Sequence, residues 1–363
     1  MQARLLMIEE KRRKVLPGLV GPADFKVRDG GAIEPRILLQ NPNLSLYCLD
    51  FDNRQALFVE TSPECRLSQA PFLYQAQYEA ARHLIQIPYD MLHSLAAEVR
   101  LDPAKLILIY SVGRCGSTLV SRAFNQVEGV ESLSEPDVFT QMRWACSWEG
   151  PESSENAALL KSCTLLQCVP GRLQGAGAWA LKFRSEVTIL GPKFYSIFPE
   201  AKVVFLYRNA VAWMRSYWRY IQTCFPKAPT SGLRTPNKEG HTPLEKLAGA
   251  WLGTMQACRE MQRQGIPMFL ARYEDLTVAP WEVLSQMFAF CGLAERRVGN
   301  LDVVLKEDAQ EGTALSRTSL AAAPIPFTEE DERELRRLLQ ECAGDWSADI
   351  VLPGTYLPAG CGS

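Results

Sequence analysis

The sequence predicts an α/β protein: a parallel sheet of about five strands with helices on both faces, preceded by a small β-rich extension. Three observations carry this. Five short apolar runs follow Pro103, at residues 106–112, 130–133, 179–183, 203–207 and 268–271. Helix-patterned segments lie between most of them, and strand–helix–strand alternation means a parallel sheet covered on both faces. A third set of short apolar runs lies well before Pro103 and is spaced by turn residues instead.

Taken in order, residues 1–35 are charged and Gly-rich and end near the turn signal Asp29-Gly30-Gly31. Residues 37–61 hold the runs ILL, LSLYCL and ALFVE, separated by Asn-Pro-Asn and Asp-Asn, which predicts a small antiparallel meander. Residues 75–97 show helical spacing, with Tyr78, Ala81, Leu84 and Ile85 on one face and an interruption at Pro88. Residues 36–100 are therefore expected to form an α+β extension, 101–345 the main domain and 346–363 a tail. Within the main domain Leu119, Val120, Ala123, Phe124 and Val127 keep helical spacing after the first run. A later helix opens with the capping box Thr242-Pro243-Leu244-Glu245, carries Leu244, Leu247, Ala248, Trp251, Leu252 and Met255, and stops at Gly265. Residues 226–242, polar and rich in Pro and Gly, read as a loop over the site.

Composition narrows the partners. With 39 basic and 41 acidic residues the net charge is −2, so no global field favours nucleic acid or an anionic membrane. Any anionic ligand must be held by a local cluster. Eleven cysteines without a C-x-x-C pair, and three histidines, give no zinc framework; reduced thiols and no metal are expected. The N-terminal apolar stretch is followed, not preceded, by Lys11-Arg12-Arg13-Lys14, unlike a signal peptide. No run of 18 apolar residues occurs, so a cytoplasmic protein without a membrane span is the expectation.

The segment LILIYSVGRCGSTL, residues 106–119, is the most informative. A buried strand runs into Gly113-Arg114-Cys115-Gly116-Ser117-Thr118 and directly into an amphipathic helix. Two glycines permit a tight turn with inward N–H groups, and the helix N-terminus and two hydroxyls add donors. This is an anion cradle of P-loop type, but spacing excludes two of its chemistries. A nucleotide triphosphatase needs a lysine where Ser117 stands. A cysteine phosphatase needs an arginine where Ser121 stands, six residues beyond Cys115, which leaves Cys115 as a small loop filler. The cation lies inside the loop, at Arg114.

SVGRCGSTL resembles the 5′-phosphosulfate loop of the sulfotransferases, in the Arg-Ser-Gly-Thr/Ser-Thr-Leu form of the tyrosylprotein and carbohydrate branches. The resemblance implies that Arg114, Cys115, Gly116, Ser117 and Thr118 grip the 5′-phosphosulfate of 3′-phosphoadenosine 5′-phosphosulfate. In FPEAKVVFLYRNAVAWMRSYWRYI, residues 198–221, Arg208 ends a strand and Ser216 lies eight residues on, as in the family's 3′-phosphate motif. A guanidinium offers a phosphate a bidentate fork. RYEDLTVAPWEVLSQMFAFCGL, residues 272–293, resembles a further family segment in which Glu274 and Asp275 cap or pair. Arg317 in GTALSRTSL is a looser candidate for the 3′-phosphate. The resemblance spans about residues 104–295.

The cytosolic branch uses a His after a Lys at the third strand, but Ala180-Leu181-Lys182-Phe183-Arg184-Ser185 has none. Glu135, after the second strand, is the expected general base, with Asp137 its nearest competitor. Lys182, with Arg114, is the candidate for the bridging oxygen. The expected activity is sulfonate transfer to a hydroxyl of a small-molecule acceptor. The alternatives are a kinase-like or triphosphatase-like nucleotide binder, or a non-catalytic member of the fold. Trp213, Tyr217, Trp218, Tyr220 and Phe225 either line an acceptor pocket or, at helical spacing, fill the core.

Overall fold

A computed structural model describes residues 2–13, 18–224, 233–235, 240–313, 315–321, 326–343 and 346–359. Ten strands occur among them: β1 (Arg4–Lys11), β2 (Phe25–Ala32), β3 (Leu44–Asp50), β4 (Gln55–Glu60), β5 (His83–Pro88), β6 (Leu106–Ser111), β7 (Val130–Ser134), β8 (Ala178–Lys182), β9 (Lys202–Tyr207) and β10 (Met268–Arg272). The first five form one sheet in the order β2-β1-β5-β4-β3, and the last five a second in the order β10-β9-β6-β8-β7. The five predicted apolar runs are the five strands of the second sheet. In β6, β8 and β9 the side chains are buried almost throughout, as strands covered on both faces require.

The chain divides into two compact units, Met1–Leu108 with Phe124–Lys202 and Arg296–Gly299, and Ile109–Ala123 with Val203–Glu295 and Asn300–Ser363. The first unit holds the whole antiparallel sheet. Residues 1–35 supply β1 and β2 to it, so the charged start of the chain is woven into the extension. This unit also carries the parallel pair β7–β8, whose register sets Ser134 opposite Lys182. The main-chain ladder runs one step further, Glu135 N–H donating to the Lys182 carbonyl at 2.6 Å. Glu135 and Lys182 are thereby fixed side by side at the carboxyl ends of their strands, where ligands of parallel sheets bind.

Two local expectations are corrected here. The helical reading of 75–97 breaks into a helix (Leu73–Ala80), strand β5 and a second helix (Tyr89–Glu98). Leu84 and Ile85 belong to β5, which pairs with β1 on one side and β4 on the other. A short apolar run fits either period, and two flanking strands decide it. Pro88 ends that strand and precedes the helix, a position where its missing N–H costs nothing. The run ILL, expected in the meander, lies in a 3-10 turn (Pro35–Leu39) opened by Pro35 and the Glu34 side chain.

In the second unit β9 and β10 run parallel in register from Met268↔Val203 to Arg272↔Tyr207. The predicted capping box is formed: Thr242 Oγ1 accepts from Glu245 N–H at 3.1 Å, and Glu245 Oε2 accepts from Thr242 N–H at 2.7 Å. The helix it starts, Pro243–Arg263, buries Leu244, Leu247, Ala248, Trp251, Leu252 and Met255 as its spacing requires. Most of residues 226–242 lies outside the described residues, as does Phe225.

Candidate functional site

In the second unit, the turn after β6 takes its shape from three residues in the left-handed region. Gly113 and Gly116 have φ of 74° and 78°, and Arg114 between them has φ of 50°. For an arginine the left-handed region costs on the order of 1–2 kcal/mol, so the surroundings must hold it there. Trp213 Nε1 donates to the Val112 carbonyl at 2.9 Å, Val112 N–H to the Leu206 carbonyl at 3.1 Å and Cys115 Sγ to the same carbonyl at 3.4 Å. Cys115 is fully buried, in keeping with a loop filler. A Cβ on Gly116 would come within 3.1 Å of the Tyr273 ring, so a side chain there would press on that ring as well as strain the backbone. The helix Ser117–Phe124 follows at once, and its first N–H groups have no partner within the helix.

Arg208 stands at the carboxyl end of β9 and reaches the same turn. Its Nη1 donates to the Arg114 carbonyl at 3.1 Å, and its guanidinium lies over the Tyr273 ring at 4.4 Å. Trp251 Nε1 donates to the Arg208 carbonyl at 3.1 Å and fixes the strand tip. Arg114 Nε donates to Ser216 Oγ at 3.2 Å and Nη1 to Gln310 Oε1 at 2.6 Å. Arg114 and the pair Arg208 and Ser216, drawn from two separate segments of the sequence, therefore converge. Among the described residues no carboxylate lies within ion-pair distance of either guanidinium, and Arg208 Nε is buried without a partner. Burial and the neighbouring Arg208 charge both pull the Arg114 pKa down. Two adjacent cations without a counter-charge are a costly arrangement that an anion relieves.

The first unit holds a second cluster. Lys182 Nζ is 2.5 Å from Glu135 Oε1, and Arg184 Nε is 3.5 Å from Glu135 Oε2 and 3.0 Å from Asp137 Oδ1. Glu135 has φ of 61°, in the left-handed region that costs a non-glycine residue on the order of 1–2 kcal/mol, so its contacts must hold it there. Asp137 is buried and accepts the Val20 N–H at 2.9 Å. Burial raises its pKa, with Arg184 opposing. Burial likewise opposes the charge of Arg184, but Asp137, Tyr74 and Glu135 outweigh it and hold the guanidinium protonated.

The structure thus groups the sequence-derived residues in two sets, Arg114, Cys115, Gly116, Ser117, Thr118, Arg208 and Ser216 in one unit, Glu135 and Lys182 in the other. The Arg317 side chain lies outside the described residues. Asp275 makes a bidentate pair with Arg272 at 2.6 and 2.7 Å, and Glu274 accepts from Asn209 N–H at 3.1 Å, so both have the structural parts expected. Trp213 and Trp218 are core. Sequence reasoning passed over Tyr273 and Gln310, which touch the arginines, and Arg184, which touches Glu135. Arg184 had a signal: two residues beyond Lys182, it follows on the same side of the chain.

No family model matches the chain, and no curated protein does. Among solved structures the chain is similar to a sulfotransferase from Alicyclobacillus acidocaldarius, at 16% identity over 64% of this chain and 94% of that one, TM-score 0.37. It is also similar to the sulfotransferase domain from the curacin biosynthetic pathway, at 15% identity over 71% and 100%, TM-score 0.40. Mouse sulfotransferase SULT7A1 complexed with PAP follows at 12% identity over 69% and 87%, TM-score 0.38. At these levels the functional reading rests on the side chains.

Proposed function

We propose that this protein is a sulfotransferase that moves a sulfonate from 3′-phosphoadenosine 5′-phosphosulfate to a hydroxyl of a small-molecule acceptor. The observation that carries the reading is the uncompensated pair Arg114 and Arg208, with Ser216 beside it and a glycine turn opening a helix. Those groups suit a nucleotide with phosphates at both ends of its ribose: donors are placed, cations are unpaired and Arg208 Nε lacks an acceptor. The turn residues Arg114, Cys115, Gly116, Ser117 and Thr118 are assigned the 5′-phosphosulfate, and Arg208 and Ser216 the 3′-phosphate. Arg317 is a further candidate for the latter.

Glu135 is assigned the acceptor proton and Lys182 the oxygen that bridges sulfur and phosphorus. The acceptor oxygen forms a bond to sulfur and its proton passes to Glu135. The bond between sulfur and the bridging oxygen breaks, its electron pair staying with the departing bisphosphate, whose charge Lys182 and Arg114 offset. Lys182 Nζ, 2.5 Å from Glu135 Oε1, holds the carboxylate in place at the end of its strand. Asp137, buried and already holding Val20 N–H, has no free face to offer an acceptor.

The test is a donor-dependent screen of phenols, alcohols and sugars, read by mass. A product heavier by one sulfonate is expected, with transfer reduced about 10²–10⁴-fold in Glu135→Gln. No product from any hydroxyl class, in a protein that binds the donor, counts against transfer.

A further inference from the structure

Arg184 is tied to the N-terminal extension as firmly as to Glu135. Its Nη2 donates to the Gly18 carbonyl at 3.4 Å and its guanidinium lies over the Tyr74 ring at 4.4 Å. Arg13 lies over the same ring at 5.0 Å and is 3.8 Å from Asp24, which accepts the Tyr47 hydroxyl at 2.5 Å. Val20 gives its N–H to Asp137, and its carbonyl accepts from Gln141 Nε2 at 2.8 Å. Residues 18–24 and the Tyr74 helix thus grip the two groups, Arg184 and Asp137, that stand next to Glu135.

We propose that Arg184 is a positioning residue, through which the extension sets the orientation and basicity of the Glu135 carboxylate. This rests on the reading of Glu135 as the proton acceptor. The charged and titratable groups facing Glu135 are Lys182 and Arg184 from the end of β8, Asp137 from its own turn and Tyr74 from the helix Leu73–Ala80. Arg13 and Asp24 stand one contact further away. Arg184 is shared: it lies nearer Asp137 than Glu135, so Asp137 draws off part of the charge that would otherwise bear on the base. The arrangement works as a divider. Removing Arg184 leaves Glu135 more basic, and neutralising Asp137 gives Glu135 the undivided guanidinium and leaves it less basic.

The two substitutions therefore act in opposite directions, which a merely structural role cannot produce. The experiment follows Glu135 protonation by infrared difference spectroscopy across pH in the full chain, with Glu135→Gln as the blank. Arg184→Gln is expected to raise the Glu135 midpoint by about one unit and Asp137→Asn to lower it, with Arg184→Lys close to the unsubstituted protein. Asn at 137 can still accept the Val20 N–H, so this variant keeps the test alive should Arg184→Gln fail to fold. Unmoved midpoints, or shifts of one sign, overturn the proposal. Calorimetry with adenosine 3′,5′-bisphosphate, run on the same proteins, reads the donor reading separately. Binding within twofold of the unsubstituted protein is expected for the Arg184 and Asp137 variants, and its absence in the unsubstituted protein would sink the donor assignment while leaving the Arg184 coupling measured.

Discussion

The two charge clusters of this protein are built on opposite principles. In one, Lys182, Arg184 and Arg13 are matched by Glu135, Asp137 and Asp24, cation for anion. In the other, Arg114 and Arg208 have neutral partners among the described residues: a serine, a glutamine, a carbonyl and an aromatic ring. A matched cluster is complete by itself, and its members lose their value when one is removed. An unmatched one has no counter-charge among the described residues, and on the reading proposed above its missing member is the donor's phosphates. Charge balance, more than the presence of arginine, distinguishes a site awaiting an anion from one that organises a side chain.

This contrast can be broken from either side. Lys182→Met should hurt most, because it leaves the Glu135 carboxylate among few donors; a loss of about 3 kcal/mol in stability is expected by denaturant titration. Glu131 provides a third regime, an acid with no cation paired to it among the described residues. Its carboxyl is pressed against Gly171 and burial pushes its pKa up to about 7. The folded state therefore holds its proton more tightly than the unfolded chain, and the stabilisation is complete below the ordinary carboxylate pKa and lost as pH rises towards about 7. Glu131→Gln should match the unsubstituted protein near pH ~4 and exceed it by on the order of 3 kcal/mol near pH ~8. Arg208→Ala removes one half of the unmatched pair and should weaken adenosine 3′,5′-bisphosphate binding by about 2 kcal/mol, roughly thirtyfold, with little loss of stability. Thr242→Ala, remote from both clusters in its bonding, should cost about 1 kcal/mol through its cap and leave bisphosphate affinity unchanged.

Much of this was legible beforehand, and the failures have physical causes. The core strands β6, β8 and β9 announce themselves because a strand buried on both faces is apolar at nearly every position, whereas β7, Val-Glu-Ser-Leu-Ser, gives a weaker signal. Residues 83–88 did not, since His83-Leu84-Ile85-Gln86-Ile87 fits two periods and only pairing with β1 and β4 settles it. Arg114 was found because a glycine turn leading into a helix marks its place, and Arg208 and Ser216 because they resemble a family motif at a strand-to-helix junction. Tyr273 and Gln310 reach those arginines through contacts between distant segments, and no local pattern marks them. Glu135 was chosen for its place after a strand; that it would sit against Lys182 follows from the β7–β8 register, which spacing alone does not give.

Calorimetric titration of the full chain with adenosine 3′,5′-bisphosphate, at low and raised salt, tests the central claim most directly. Saturable one-to-one binding that weakens with salt is expected, and Ser216→Asp, which sets a carboxylate beside Arg114, should abolish it while raising the melting temperature of the free protein. Absence of binding at millimolar bisphosphate, or affinity indifferent to Ser216→Asp, would contradict it.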